Sequence, residues 1–277
     1  MNEIIHVLDK GYVRLLGAHG RDLDPVNAAR VSYNKEVTEF GLKDKSLLDF
    51  LGREDHTSPF RHSFMKFEIY APLMVARQWW KYIVGSDHGE QPERDTDPFT
   101  AWNESSRRYI TEDVEFYIPQ ANEWRKAPLN SKQGSEGPLP RNLGALYTKE
   151  LENFIAQGEA LYEQAIKDGV ATEMARLFLP AYGLYVRWRW AASLQGVCHF
   201  LYQRLEHDAQ FEIQQYANAV DEFARKYFPN AVSAYVDQKL NNKHLLETLR
   251  QHGIKSIEDL EPALRVVALF GDVNVEE

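Results

Sequence analysis

The residues best suited to chemistry stand in four polar clusters, each inside an apolar or aromatic stretch. In the first, His56, Thr57, Ser58, Arg61 and His62 surround Pro59 and Phe60. Pro59 disfavours a helical Ser58, which predicts a stiff extended loop before a strand. Rigid loop groups of this kind suit ligand contact, although a solvated turn has the same composition. In the second, residues 76–82 predict a helix on which Gln78, Lys81 and Tyr82 share a face. A helix with Trp79 and Trp80 in the core and its cations reaching water would read the same way. In the third, Glu104, Ser105, Ser106, Arg107 and Arg108 combine a carboxylate, two hydroxyls and two guanidiniums. That set suits a phosphorylated, hydroxyl-bearing ligand. The fourth pairs Arg176, among Met174, Leu177, Phe178 and Leu179, with Arg204, between Leu201 and Leu205. A guanidinium in an apolar helix needs an anionic or polar partner, either an internal carboxylate or a ligand.

Common catalytic signatures are absent. The chain has no Gly-rich phosphate loop, no His-Glu-x-x-His helix and no Gly-x-Ser-x-Gly elbow, and no metal site is expected. Its one cysteine, Cys198, sits in a predicted helix interior, where a thiol behaves as a small hydrophobe. The 277 residues carry a net charge of −9, which disfavours phosphate-backbone binding and so a nucleic-acid partner. No secretory signal and no run of about 18 apolar residues appears, so a cytoplasmic protein without membrane spans is expected. With 44% hydrophobic and 26% charged residues, the chain can build a sizeable core under a polar surface.

Several elements must position these clusters. Residues 4–8 and 12–16 read as strands around a turn at 9–11. Asp24 and Pro25 predict the start of a helix, and Ser46 the start of another. Phe64, Lys66, Glu68 and Tyr70 alternate with Met65, Phe67, Ile69 and Ala71, a strand that ends at Pro72 and hands over to the helix of Gln78. Residues 87–100 read as an exposed loop. Residues 143–167 form the clearest helical stretch, with Leu146, Tyr147, Leu151, Phe154, Ile155, Leu161, Tyr162 and Ile166 in one apolar stripe. A short helix at 172–179, a strand at 185–190, and helices at 194–205 and 209–227 follow. Residues 239–270 form an amphipathic tail broken by Gly253. Strands first and helices after predict an α+β fold.

Taken in order, Ala28-Ala29-Arg30-Val31-Ser32, His56-x-Ser58-Pro59-x-x-His62, Ala76-Arg77-Gln78-Trp79, Asn103-Glu104-x-Ser106-x-Arg108-Tyr109, Ala175-Arg176-x-x-Leu179-Pro180 and Arg204 with Ala209-Gln210-x-Glu212-Ile213 resemble flavin-dependent thymidylate synthases. The resemblance covers roughly residues 4–228. It implies helices packed on a mostly antiparallel sheet, and a catalytic domain over residues 1–235 with a helical extension at 236–277. It implies a homotetramer that converts dUMP to dTMP, with methylenetetrahydrofolate as one-carbon donor and FAD and NADPH for reduction. Gln78, Trp79, Trp80, Lys81, Glu104, Ser105, Ser106, Arg107, Arg108 and Arg176 would line the substrate site, and Arg204 would stabilise negative charge as uracil N3 ionises. Ser32, His56, Ser58, Arg61, Lys81, Tyr82, Ile83, Ser193, Gln195 and His199 would approach FAD. Such a mechanism needs no catalytic cysteine, because the cofactor carries the hard chemistry.

The chain departs from the family pattern in places. Lys81-Tyr82-Ile83 stands for an Arg-His-Arg triplet, residues 84–105 replace a seven-residue spacer before Ser106, and Arg61, Gln195 and His199 stand where Glu, Arg and Asn are usual. The alternatives are a pyrimidine nucleotide hydroxymethylase of the same fold, or a non-catalytic nucleotide-binding homologue that has lost flavin.

Overall fold

The computed structural model describes residues 3–81, 100–105, 114–129 and 134–251. Tyr82, Ile83, Ser106, Arg107 and Arg108, most of the loop expected at 87–100, and residues 252–277 lie outside them.

Alternation of apolar and polar side chains builds one antiparallel sheet. Strands β1 (Ile4–Val7), β2 (Gly11–His19) and β3 (Phe64–Pro72) come early in the chain. Helices α1 (Leu23–Arg30) and α2 (Leu42–Arg53) lie between β2 and β3, and α3 (Leu73–Lys81) and β4 (Ala101–Glu104) follow. A small ribbon of β5 (Arg125–Lys126) and β6 (Glu136–Pro138) precedes α4 (Arg141–Lys167) and α5 (Thr172–Ala175). Then come β7 (Tyr185–Ser193), α6 (Leu194–Arg204), α7 (Phe211–Tyr227), α8 (Pro229–Val232) and α9 (Gln238–Gln251). The main sheet runs in the order β1-β2-β3-β7-β4 with every ladder antiparallel. The α+β architecture is thus the one expected.

The period-2 pattern of β3 is realised: Met65, Phe67, Ile69 and Ala71 are buried beneath the sheet with Trp188 and Trp190 of β7. Helices α6 and α7 cover that face with Phe200, Leu201, Tyr216 and Phe223. On the opposite face Glu68 is held by Arg14 at 3.2 Å and Arg189 at 3.4 Å, and accepts from the Tyr12 hydroxyl at 3.0 Å.

Two helix starts differ from expectation. Asp24 is the second residue of α1 and accepts from the Arg21 amide at 2.7 Å, while Asp22 occupies the cap position without capping that helix. Ser46 sits inside α2, whose start is set by Asp44 accepting from the Gly41 amide at 2.8 Å. A carboxylate three residues in can close the first turn as well as a cap residue can. Residues 58–62 also differ: they form a 3-10 turn with Pro59 near its start, where a missing N–H costs nothing.

The stripe of α4 divides. Ile155 and Ala165 are buried with Gly144 and Gly158, whereas Leu146, Tyr147, Phe154, Leu161 and Ile166 are exposed. A Cβ on Gly158 would lie 2.6 Å from the Phe178 carbonyl, so α4 approaches the 176–178 turn closely along one edge only. The helix is apolar around more of its circumference than the described residues cover. No helix among the described residues is long and apolar enough to cross a membrane.

Candidate functional site

The central strands each run directly into a helix. At Pro72 β3 becomes α3, and the Leu73 amide donates to the Leu184 carbonyl at 2.8 Å. At Ser193 β7 becomes α6, with Ser193 Oγ accepting from the Gly196 amide at 3.2 Å as an N-cap. Because Phe64 pairs with Ser193 and Pro72 with Tyr185, the two helices leave the sheet from opposite ends. They pass under it and meet where Trp79 stacks on Phe200 with ring centres 4.2 Å apart.

This crossing forms the candidate site. Gln78 and Lys81 of α3 line a cavity of about 450 Å³ together with Gln203 and Arg204 of α6. Glu206, Asp208, Ala209 and Gln210 of the connection to α7, Lys243 of α9 and Gly134 complete it. Arg204 is 9% exposed, the buried guanidinium that its apolar neighbours suggest. The shared face expected of Gln78 and Lys81 is realised in one wall. Trp79 is not on that wall. Its side chain is fully buried, edge-on to Trp188 and Trp190, and belongs to the core. Trp80 is exposed.

Electrostatics at the cavity mouth centre on Glu206, which is 3% exposed. Lys243 Nζ lies 3.0 Å from its Oε1, and His207 Nδ1 and His244 Nε2 lie 4.0 and 3.9 Å from its Oε2. Burial opposes the charge on Lys243, but the hydrogen bond and charge of Glu206 outweigh it and raise the ammonium pKa. Lys243 was invisible to sequence reasoning, since a lysine on a polar helix carries no signal of a distant cavity.

Arg176 departs most from expectation. It is exposed on a 3-10 turn, donates through Nε to the Glu173 carbonyl at 3.1 Å, and stands outside the Arg204 cavity. Its apolar neighbours Met174, Leu177 and Phe178 are exposed with it, so the stretch is a surface patch and not a buried helix face. Glu104 and Ser105 stand beside β7, where the Ser105 amide donates to the Arg187 carbonyl at 2.8 Å. Partial burial raises the Glu104 carboxyl pKa, against a hydrogen bond with Trp102 and the charge of Arg77.

Of the residues expected around a cofactor, Arg61, Ser193 and Gln195 meet at the start of α6. Arg61 Nε donates to Gln195 Oε1 at 2.5 Å, joining the 58–62 turn to the helix, and the Leu194 amide donates to the Ser63 carbonyl at 2.7 Å. Ser193 and Gln195 are buried, His199 is half-buried, and Ser32, His56 and Ser58 are exposed.

A family model described as thymidylate synthase complementing protein, Thy1, matches residues 14–230. The chain belongs to the Thy1 family. This Thy1 chain is 38% identical over 269 residues to a flavin-dependent thymidylate synthase of Thermus thermophilus, covering 96% of this chain and 92% of the relative. It is 34% identical over 232 residues to a protein of the same description from Thermotoga neapolitana, covering 84% of this chain and 94% of that one. Its fold resembles the crystal structures of the UMP/dUMP methylase PolB from Streptomyces cacaoi. The form bound with 5-Br UMP gives a TM-score of 0.67 at 23% identity, over 83% of this chain and 96% of the other. The form bound with 5-Br dUMP gives 0.68 at 24% identity, over 83% and 97%.

Proposed function

We propose that this Thy1 chain is a flavin-dependent thymidylate synthase that converts dUMP to dTMP in the cytoplasm, with methylenetetrahydrofolate as one-carbon donor and NADPH as reductant. The observation that carries the reading is the meeting of Arg204, Gln78 and Lys81 in one cavity of about 450 Å³, within the size range of small-molecule sites. Arg204, held in a mostly buried position, is suited to stabilise the negative charge that forms on the pyrimidine as N3 ionises, which activates C5. Gln78 orients the nucleotide through its amide, and Lys81 supplies a second positive charge for its anionic groups. Burial holds the Cys198 thiol in its protonated form, which fits a reaction without a cysteine nucleophile.

The chain's residues also fit a flavin. The Arg61–Gln195 pair, with exposed His56 and Ser58 close by in sequence, offers cationic and hydroxyl donors suited to a dinucleotide's phosphates, and exposed Ser32 is read as a further hydroxyl donor. When bound, the flavin supplies the redox and one-carbon transfer chemistry. In our reading Ser193 and Gln195 shape that site from beneath.

We read the working unit as a homotetramer. The support is Arg176, an exposed cation set among exposed apolar Met174, Leu177 and Phe178, beside the uncovered stripe of α4. A subunit contact would cover this surface and bring Arg176 to the nucleotide phosphate of another chain's cavity. We read residues 1–235 as the catalytic unit and residues 236–277 as an extension, of which residues 236–251 continue the helical run that begins at 229.

Incubation of the purified protein with dUMP, methylenetetrahydrofolate, FAD and NADPH, followed by mass analysis of the nucleotide, tests the reading. A gain matching dTMP is expected, and hydroxymethyl-dUMP or unchanged dUMP overturns it.

A further inference from the structure

A chain of hydrogen bonds behind the cavity fixes which way the Gln78 amide points. Glu212, 3% exposed in the first turn of α7, is gripped by Arg125 Nη2 through its Oε1. Arg125 is itself immobilised: Nε donates to Ser135 Oγ at 2.9 Å, Nη1 to the Glu123 carbonyl at 3.1 Å, and the guanidinium lies 4.6 Å from the Phe211 ring centre. The other Glu212 oxygen, Oε2, accepts from Gln210 Nε2 at 2.7 Å, and the same nitrogen lies 3.4 Å from Met74 Sδ. A carboxylate and a thioether can only accept, so both neighbours demand the NH₂ end of Gln210. The Gln210 carbonyl oxygen is therefore left to accept from Gln78 Nε2. Gln78 in turn keeps its own carbonyl oxygen and one N–H for the cavity wall.

We infer that Glu212 and Gln210 are positioning residues: the fixed acceptor polarity of Glu212 is passed through Gln210 and sets the orientation in which Gln78 meets the pyrimidine nucleotide. The inference rests on the proposed dUMP site. Glu212→Gln keeps the volume but removes the polarity. The new amide must turn its oxygen to one of two donors, Arg125 or Gln210. When Arg125 takes it, Gln210 reverses and presents NH₂ to Gln78, which must reverse as well. The half-buried Gln78 then exchanges acceptor for donor at the wall without any change in its backbone.

The test is a double-mutant cycle read as dUMP dissociation constants by calorimetry, on the intact protein, with Gln78→Ala, Glu212→Gln and the pair combined. Glu212→Gln is expected to weaken dUMP about five- to ten-fold, the worth of one net hydrogen bond. Combined with Gln78→Ala it is expected to add no further weakening, because its effect acts through the missing side chain. If the two losses multiply, Glu212 acts elsewhere and the relay is overturned. Gln210→Ala, at the half-buried entry to α7, runs the same cycle if Glu212→Gln fails to fold, with the same two outcomes. A wild-type protein that binds no dUMP overturns the site reading and the relay together, whereas tight wild-type binding with multiplying losses overturns the relay alone.

Discussion

Lys243 Nζ lies 3.0 Å from Glu206 Oε1, which ties helix α9 to the segment that leads from Arg204 to Gln210. A helix late in the chain thus closes one side of the Arg204 cavity. Lys243→Ala leaves a nearly buried carboxylate without its nearest cation, and the half-exposed position of Lys243 limits the loss to about 1–2 kcal/mol. The pH dependence follows from the raised lysine pKa. A group charged more easily in the folded state contributes fully below its unfolded value, about 10.4, and the contribution fades as pH rises through the higher folded value. Denaturant midpoints of the two proteins should therefore differ by a constant amount from pH 7 to 9 and converge above pH 10.5. A difference that vanishes at neutral pH refutes the pair.

Arg204→Ala should lower kcat about 10²- to 10³-fold, the usual cost of removing one donor to a developing negative charge. Arg176→Ala should act differently, raising the KM for dUMP about ten-fold or more with kcat largely kept, as expected for lost phosphate binding. Steady-state kinetics on both variants separate the roles. Equal effects of both on kcat would contradict them.

Asp22 stabilises a helix far from it in sequence. Its Oδ2 accepts from the Asn230 amide at 3.1 Å and side chain at 2.8 Å, and its Oδ1 from the Ala231 amide at 2.9 Å. The carboxylate caps α8 from outside, behind Pro229. Asp22→Ala should cost about 2 kcal/mol, at the upper end of a cap loss, since the Ala231 amide it leaves is buried. Thermal unfolding measures it, and Asp22→Asn should recover part of the loss.

Cys198 should not react. Complete burial pushes its thiol pKa well above the usual range, so thiolate is scarce at any ordinary pH. A thiol reagent at pH 8 should label the protein only after denaturation, and Cys198→Ala should keep its turnover. Fast labelling of the folded protein would show that α6 opens.

Much of the fold was legible because it follows local periodicity. The alternation in β3 and β7, the helix of Gln78 and the α6–α7 pair were all readable from side-chain spacing. The helix starts at Asp24 and Ser46 were misread because a carboxylate inside the first turn competes with a cap residue, and sequence alone does not say which one wins. The α4 stripe and the setting of Arg176 were misread for another reason. Apolar spacing shows that a surface should be covered but not whether the same chain covers it.

The residue types of this sequence and their order by themselves determined the family, the α+β class and the cationic character of the candidate site, since these depend on motifs and periodicities within short windows. Only the tertiary structure decided that Trp79 belongs to the core while Gln78, one residue earlier, faces the cavity. It alone decided that Lys243 and Glu206 meet there, and that Glu212 stands behind Gln78. Those relations depend on where separate helices cross, and a crossing is set by packing over the whole sheet.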